Sequence, residues 1–156
     1  MATSSDDLEK RQAELTAALL SAARDGLIEP VRSLLDRGAP LNAHDRAGRT
    51  AVMWAAANRQ FAVAMLLLDR GAIVDATALA RFDEWLRWLD AQSEQAYEKM
   101  CDATNSTAAT GHYSSAKEFL HDAISLARRL KRQEAEARLK TRLDHIKAVF
   151  RSQFPG

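Results

Sequence analysis

Residues 22–43 read AARDGLIEPVRSLLDRGAPLNA, and residues 55–76 read AAANRQFAVAMLLLDRGAIVDA. A shift of 33 superposes them without a gap. Ala22 and Ala23 fall on Ala55 and Ala56. Leu34-Leu35-Asp36-Arg37-Gly38-Ala39 falls on Leu67-Leu68-Asp69-Arg70-Gly71-Ala72, and Ala43 on Ala76. These nine identities share one register, and Leu41 meets the similar Val74. A fixed period of this length is the mark of a repeat architecture.

Each residue type has a mechanical role in such a unit. Paired alanines let a second helix cross closely. Val31, Leu34 and Leu35 form an i, i+3, i+4 apolar stripe on that second helix. Gly38 and Gly71 follow the last helical turn, where a left-handed residue ends a helix at little cost. Each unit therefore reads as two short antiparallel helices with a glycine stop.

The stretch DRAGRTAVMWAA from Asp45, followed by LLLDRGAIVDA, resembles an ankyrin repeat. The resemblance implies that Asp45 and Gly48 shape a β-turn finger near residues 42–49 and that Thr50 caps the first helix. Thr50 is a good N-cap on chemical grounds as well. The family pattern is broken at Ala51 (usually Pro), Met53 (usually His) and Arg59 (usually Gly), although Gly26 keeps the glycine in the first repeat. That first repeat reads as a capping unit: Ala17 replaces the threonine, and a polar lead-in from Asp6 to Glu14 runs into Leu15, Leu19 and Leu20. Ser5 or Asp6 would cap this helix, with acidic residues in its first turn matching the helix dipole.

A third copy dissolves after residue 76, yet about three units are needed for a stable stack. Phe82, Trp85, Leu86, Trp88 and Leu89 are the residues that could cover the second repeat. The spacing Trp85, Leu89, Gln92, Ala96, Met100, Ala103 predicts a helix from Asp83 that weakens over Thr104–Thr110 and ends at Gly111. Residues Gly111–Ala123 are similar to the second half of a tetratricopeptide repeat. Beyond them, a stripe of Ala116, Leu120, Ala123, Ala127 and Leu130 gives way to one of Ala135, Leu139, Leu143, Ile146 and Phe150. The change of phase predicts a break near Lys131–Glu134, against one helix over residues 113–153 with two apolar faces.

The expected fold is thus all-α: two ankyrin-like repeats over residues 5–76 and a C-terminal helical bundle over 77–156 that caps them. A chain of 156 residues can bury roughly 70% of its unfolded surface, so it needs no metal or disulfide to fold. There are 22 basic and 21 acidic side chains, a balance that suggests neither nucleic acid nor membrane. The single Cys101 reads as a small buried hydrophobe. No signal-peptide-like or membrane-length apolar stretch is seen, so a cytosolic protein is expected.

Nothing in the sequence has the spacing of a catalytic or metal site. His44, His112, His121 and His145 share no ligand pattern, and no P-loop, GxGxxG or GxSxG is present. No cofactor and no enzymatic activity are expected. Arg128, Arg129, Lys131, Arg132, Arg138, Lys140 and Arg142 sit among only Glu134 and Glu136, a local net of +5 that could grip phosphates. No aromatic residues interleave with them for base stacking.

The ankyrin resemblance implies a protein partner held on the concave face of the repeats. Its contact positions fall on Arg46, Ala47 and Arg49 at the finger tip, Ala57 and Asn58 on the helix, and Arg24 and Asp25 in the first repeat. Arginines there suit a partner with an acidic patch. Trp54 and Met53 are assigned to packing. Two alternatives stay open: a homo-oligomer built through the C-terminal helices, and a weak nucleic-acid binder using residues 128–142. A monomer and a homodimer are both compatible with the sequence.

Overall fold

The computed structural model describes residues 4–155. Among these the chain is all-helical, with seven helices and no strand. It forms two compact units, the first ending at Phe82 and the second beginning at Asp83.

The first unit contains α1 (Ser5–Asp25), α2 (Ile28–Asp36), α3 (Ala51–Ala57), α4 (Phe61–Asp69) and the start of α5 (Ala76–Cys101). Helices α2 and α4 are related by the same shift of 33 that relates their sequences. Helix α1 packs on α2 and α3, α3 on α4, and α2 on α4. The paired alanines lie at these crossings: Ala22, Ala23, Ala55 and Ala56 are all buried. Val31 and Leu34 of α2, and Val63, Ala64, Met65 and Leu67 of α4, complete the core. Helix α1 opens with Ser4 at its cap position, without a side-chain bond, rather than with Ser5 or Asp6 as cap. Asp6 and Asp7 do lie in its first turn, where the dipole favours them.

The helix stops share one hydrogen-bond pattern. At Gly38 (φ 88°) the Ala39 amide donates to the Leu34 carbonyl at 2.9 Å and the Gly38 amide to that of Leu35 at 3.0 Å. Gly71 repeats this with Ala72 to Leu67 and Gly71 to Leu68, both at 3.0 Å. These are Schellman stops, in which a left-handed residue lets two amides reach back to orphan carbonyls. Arg59 stands where Gly26 stands in the first repeat, and it adopts the same left-handed backbone (φ 55°). The Gln60 amide still reaches the Ala55 carbonyl at 2.9 Å. The motif is therefore retained despite the loss of glycine, at the steric expense of a Cβ in the left-handed region.

Gly26 (φ 75°) has a second constraint. A Cβ there would lie 2.2 Å from Gln60 Oε1, and Gln60 Nε2 donates to the Arg24 carbonyl at 3.1 Å. Gly26→Ala is expected to destabilise the first unit by about 1–2 kcal/mol, from the left-handed Cβ and the displaced Gln60. Urea unfolding measures this; an unchanged midpoint would refute it.

The second unit is an up-down-up bundle of the rest of α5, α6 (Ser106–Arg129) and α7 (Gln133–Gln153). Its core is Trp85, Leu89, Ala96 and Met100 from α5, Ala116, Leu120, Ala123 and Ala127 from α6, and Leu139, Leu143 and Ile146 from α7. Both expected stripes face inward, and the break falls where the phase changes. Leu130 caps α6, and Lys131 (φ 56°) makes a further Schellman stop, with the Arg132 amide 2.8 Å from the Ala127 carbonyl. Residues 113–153 are therefore two helices. Lys131→Gly is expected to raise the stability of this unit by about 0.5–1 kcal/mol, because relief of the left-handed Cβ exceeds the added freedom of the unfolded chain. A lowered thermal midpoint would contradict this.

Three expectations for this half are corrected. Helix α5 stops at Cys101, and α6 starts at Ser106 and runs through Gly111. The break is set by Asn105, whose Oδ1 accepts the Ala108 amide at 2.8 Å and so caps α6. Gly111 thus lies inside a helix, and the tetratricopeptide likeness, which needs a turn there, is unsupported. Cys101 is exposed on the last residue of α5 instead of being buried.

The basic run is also compensated by acids distant in sequence. Arg132 pairs with Asp83 at 2.6 Å, Arg138 and Arg142 with Asp90 at 3.4 and 3.1 Å, and Arg142 also with Glu94. Arg128 and Lys140 share Glu136 at 3.0 and 2.7 Å, and together they hold its carboxyl below the usual range. The contacts advance in the same order along α5 and α7, so those two helices are parallel. Pairs this exposed contribute about 0–1 kcal/mol each, and they set register more than stability.

Candidate functional site: a groove between the first helix and the finger

The finger is built by Asp45. Its Oδ1 accepts the amides of Ala47 (2.9 Å) and Arg49 (3.0 Å), and its Oδ2 accepts Arg49 Nε (2.9 Å). The Gly48 amide donates to the Asp45 carbonyl at 3.0 Å, with Gly48 at φ 76°. An antiparallel bridge between His44 and Thr50 closes the base. The Arg49 amide and the other donors hold the Asp45 carboxyl below its ordinary range. Thr50 caps α3 as expected, its Oγ1 accepting the Met53 amide at 3.4 Å. Asn42 Oδ1 accepts the Ile73 amide at 2.8 Å, tying this finger to the next turn.

Beside the finger lies an open groove of about 800 Å³. One wall is a single face of α1: Ala13, Thr16, Ala17, Leu20, Ser21 and Arg24. The other wall is Ala43, His44, Asp45 and Arg46 of the finger, with Trp54 of α3. The recess exists because Ala13, Ala17 and Ala43 present only methyl groups. Arg49 lies over the Trp54 ring, 4.2 Å from its centroid. Trp54 is thus half-buried and lines the groove, where packing alone was expected; Met53 is buried.

The expected contact residues divide by what they already hold. Arg24 and Arg46 line the groove. Arg24 is bound to Asp25 at 2.9 Å, an exposed pair that raises the arginine's pKa and lowers the aspartate's. Arg46 makes no hydrogen bond or ion pair among the described residues. Arg49 is committed to Asp45 and Trp54. Asn58 caps α3, and its Nδ2 donates to the Trp54 carbonyl at 2.9 Å. Asp25, Ala47, Arg49, Ala57 and Asn58 are exposed but do not line the groove. Of the α1 wall, sequence reasoning reached only Arg24 and missed Ala13, Thr16, Ala17, Leu20 and Ser21.

Residues 4–78 match the family model described as ankyrin repeats (3 copies). That match, with the two-helix units and glycine stops described above, supports the ankyrin-repeat reading of the segment. Ankyrin repeats are in general protein–protein interaction modules, and the family is typically non-catalytic. Among curated proteins, the mitochondrial disaggregase of Bos taurus is 48% identical over 56 residues, and that of Homo sapiens 50% identical over 56. Each match covers 36% of this chain and 8% of the relative, so the similarity is confined to a small part of those proteins.

Proposed function

We propose that the protein is a non-catalytic adaptor or inhibitor that holds a partner protein in the groove between α1 and the finger. The observation that carries this reading is the groove itself. It is open, it is walled by an aromatic ring and alanine methyl groups, and it lies on the inner-helix face of a repeat class that binds proteins. Aromatic and arginine side chains around a small-residue recess are the composition of binding hot spots.

Ala17→Arg tests the reading. Ala17 is exposed on a helix, arginine is a strong helix former, and its side chain would fill the recess. The variant should keep its stability to within about 0.5 kcal/mol. It should also lose a protein that the wild-type chain retains from lysate of the source cells. Retention of the same protein by the folded variant would refute the groove. Arg49→Glu is unsuitable for this purpose, because it would break the Asp45 turn as well as alter the surface.

A further inference from the structure

We infer that the occupant of the groove is an acidic segment of the partner, an apolar side chain flanked by carboxylates. This rests on the protein-binding reading and adds the chemistry of the ligand. The charges at the groove lining leave one arginine, Arg46, without a counter-charge among the described residues. One carboxylate, that of Asp45, lines it, and both its oxygens are taken: Oδ1 by two backbone amides, Oδ2 by Arg49. That negative charge is spent inside the turn. Two guanidinium groups also line the groove. Arg46 has no partner among the described residues. Arg24 is paired with Asp25 through Nε and one terminal nitrogen, which also reaches Ser21, and its other terminal nitrogen makes no hydrogen bond among the described residues, so it can still donate.

Arginine's planar fork matches a carboxylate with paired, charge-assisted hydrogen bonds. Between the two cations the floor is Ala13, Ala17, Leu20 and Ala43 against Trp54. Such a floor would take an apolar side chain and offers nothing to a nucleic-acid backbone, whose binding needs a row of cations. A basic or neutral segment would leave Arg46 uncompensated beside the apolar floor.

The test is selection from a random library of displayed twelve-residue peptides against the full chain, with the folded Ala17→Arg variant as counter-target. The enriched peptides should carry Asp or Glu next to an apolar residue. Fluorescence polarisation of the best peptide should show roughly ten-fold weaker binding when its acids become amides, and a similar loss with Arg46→Gln at low salt. Raising the salt should narrow both differences. Peptides that depend on Ala17 but are neutral or basic would overturn the inference and leave the protein-binding reading standing. No enrichment, or peptides indifferent to Ala17→Arg, would overturn both. The full chain alone should sediment as a species insensitive to Ala17→Arg. Self-association abolished by that variant would instead assign the groove to a second copy. A labelled oligonucleotide displaced by the same variant would assign it to nucleic acid.

Discussion

Replacing Phe82 by alanine is expected to cost the first unit about 3–5 kcal/mol, the usual range for a fully buried phenylalanine. Two terms add: the transfer free energy of the ring, and the cavity left when neighbours relax only in part. Phe82 has no exposed surface, and Ala78, one helical turn before it on α5, has none either. Both belong to the first unit. The opening turns of α5 therefore bury residues where a third repeat would have stood. A unit of this size has a total stability of roughly 4–12 kcal/mol, so the loss is a large fraction of it. Hydrogen exchange is the direct reading. Amides of α3 and α4 should lose protection by about two to four orders of magnitude. Leu8→Ala, at a position half exposed on the first turn of α1, is the control and should be nearly silent. A Phe82→Ala chain as protected as the control would mean that the repeats close without α5.

The repeats were legible because their signals are local and recur in register. A glycine stop, a pair of alanines and a leucine stripe each act over one or two turns, and two copies confirm each other. The phase change between Ala127 and Ala135 was legible for the same reason. What failed was competition between weak signals. Gly111 is the stronger helix breaker by composition, but Asn105 offers a side-chain acceptor to the Ala108 amide, and that cap decides where α6 begins. The basic run reads as a local excess because its counter-charges, Asp83, Asp90 and Glu94, lie on another helix. Local charge cannot anticipate a pairing made by tertiary structure.

The site was legible only in outline. The family resemblance pointed to Arg24 and Arg46, which line the groove, and equally to Arg49 and Asn58, which are occupied in building it. Sequence cannot separate a free arginine one position after the turn aspartate from one bound to it four positions on. The sequence assigns Trp54 to packing between units, whereas Arg49 covers one face of its ring and the groove borders it. The α1 wall is recessed because Ala13 and Ala17 carry only methyl groups, and an exposed alanine on a helix carries no pattern.

The second large effect is expected at Ala55. Ala55→Leu should destabilise the first unit by about 1–3 kcal/mol through overpacking, although leucine favours helix almost as well as alanine. Ala55 is fully buried on α3, which packs on both α1 and α4. Three added carbons there must force an off-rotamer side chain or push the helices apart. The neighbouring Ala57 is exposed, so Ala57→Leu should stay within about 0.5 kcal/mol. Thermal melts separate the two, since each kcal/mol moves the midpoint of a small domain by roughly 4–8 °C. Equal midpoints would remove the claim that paired alanines are there to let helices cross closely. The same substitution bears on binding. Trp54 is the residue before Ala55, so an outward shift of α3 would displace the aromatic wall. A folded Ala55→Leu chain should therefore bind any groove ligand more weakly, while Ala57→Leu leaves that ligand's affinity unchanged.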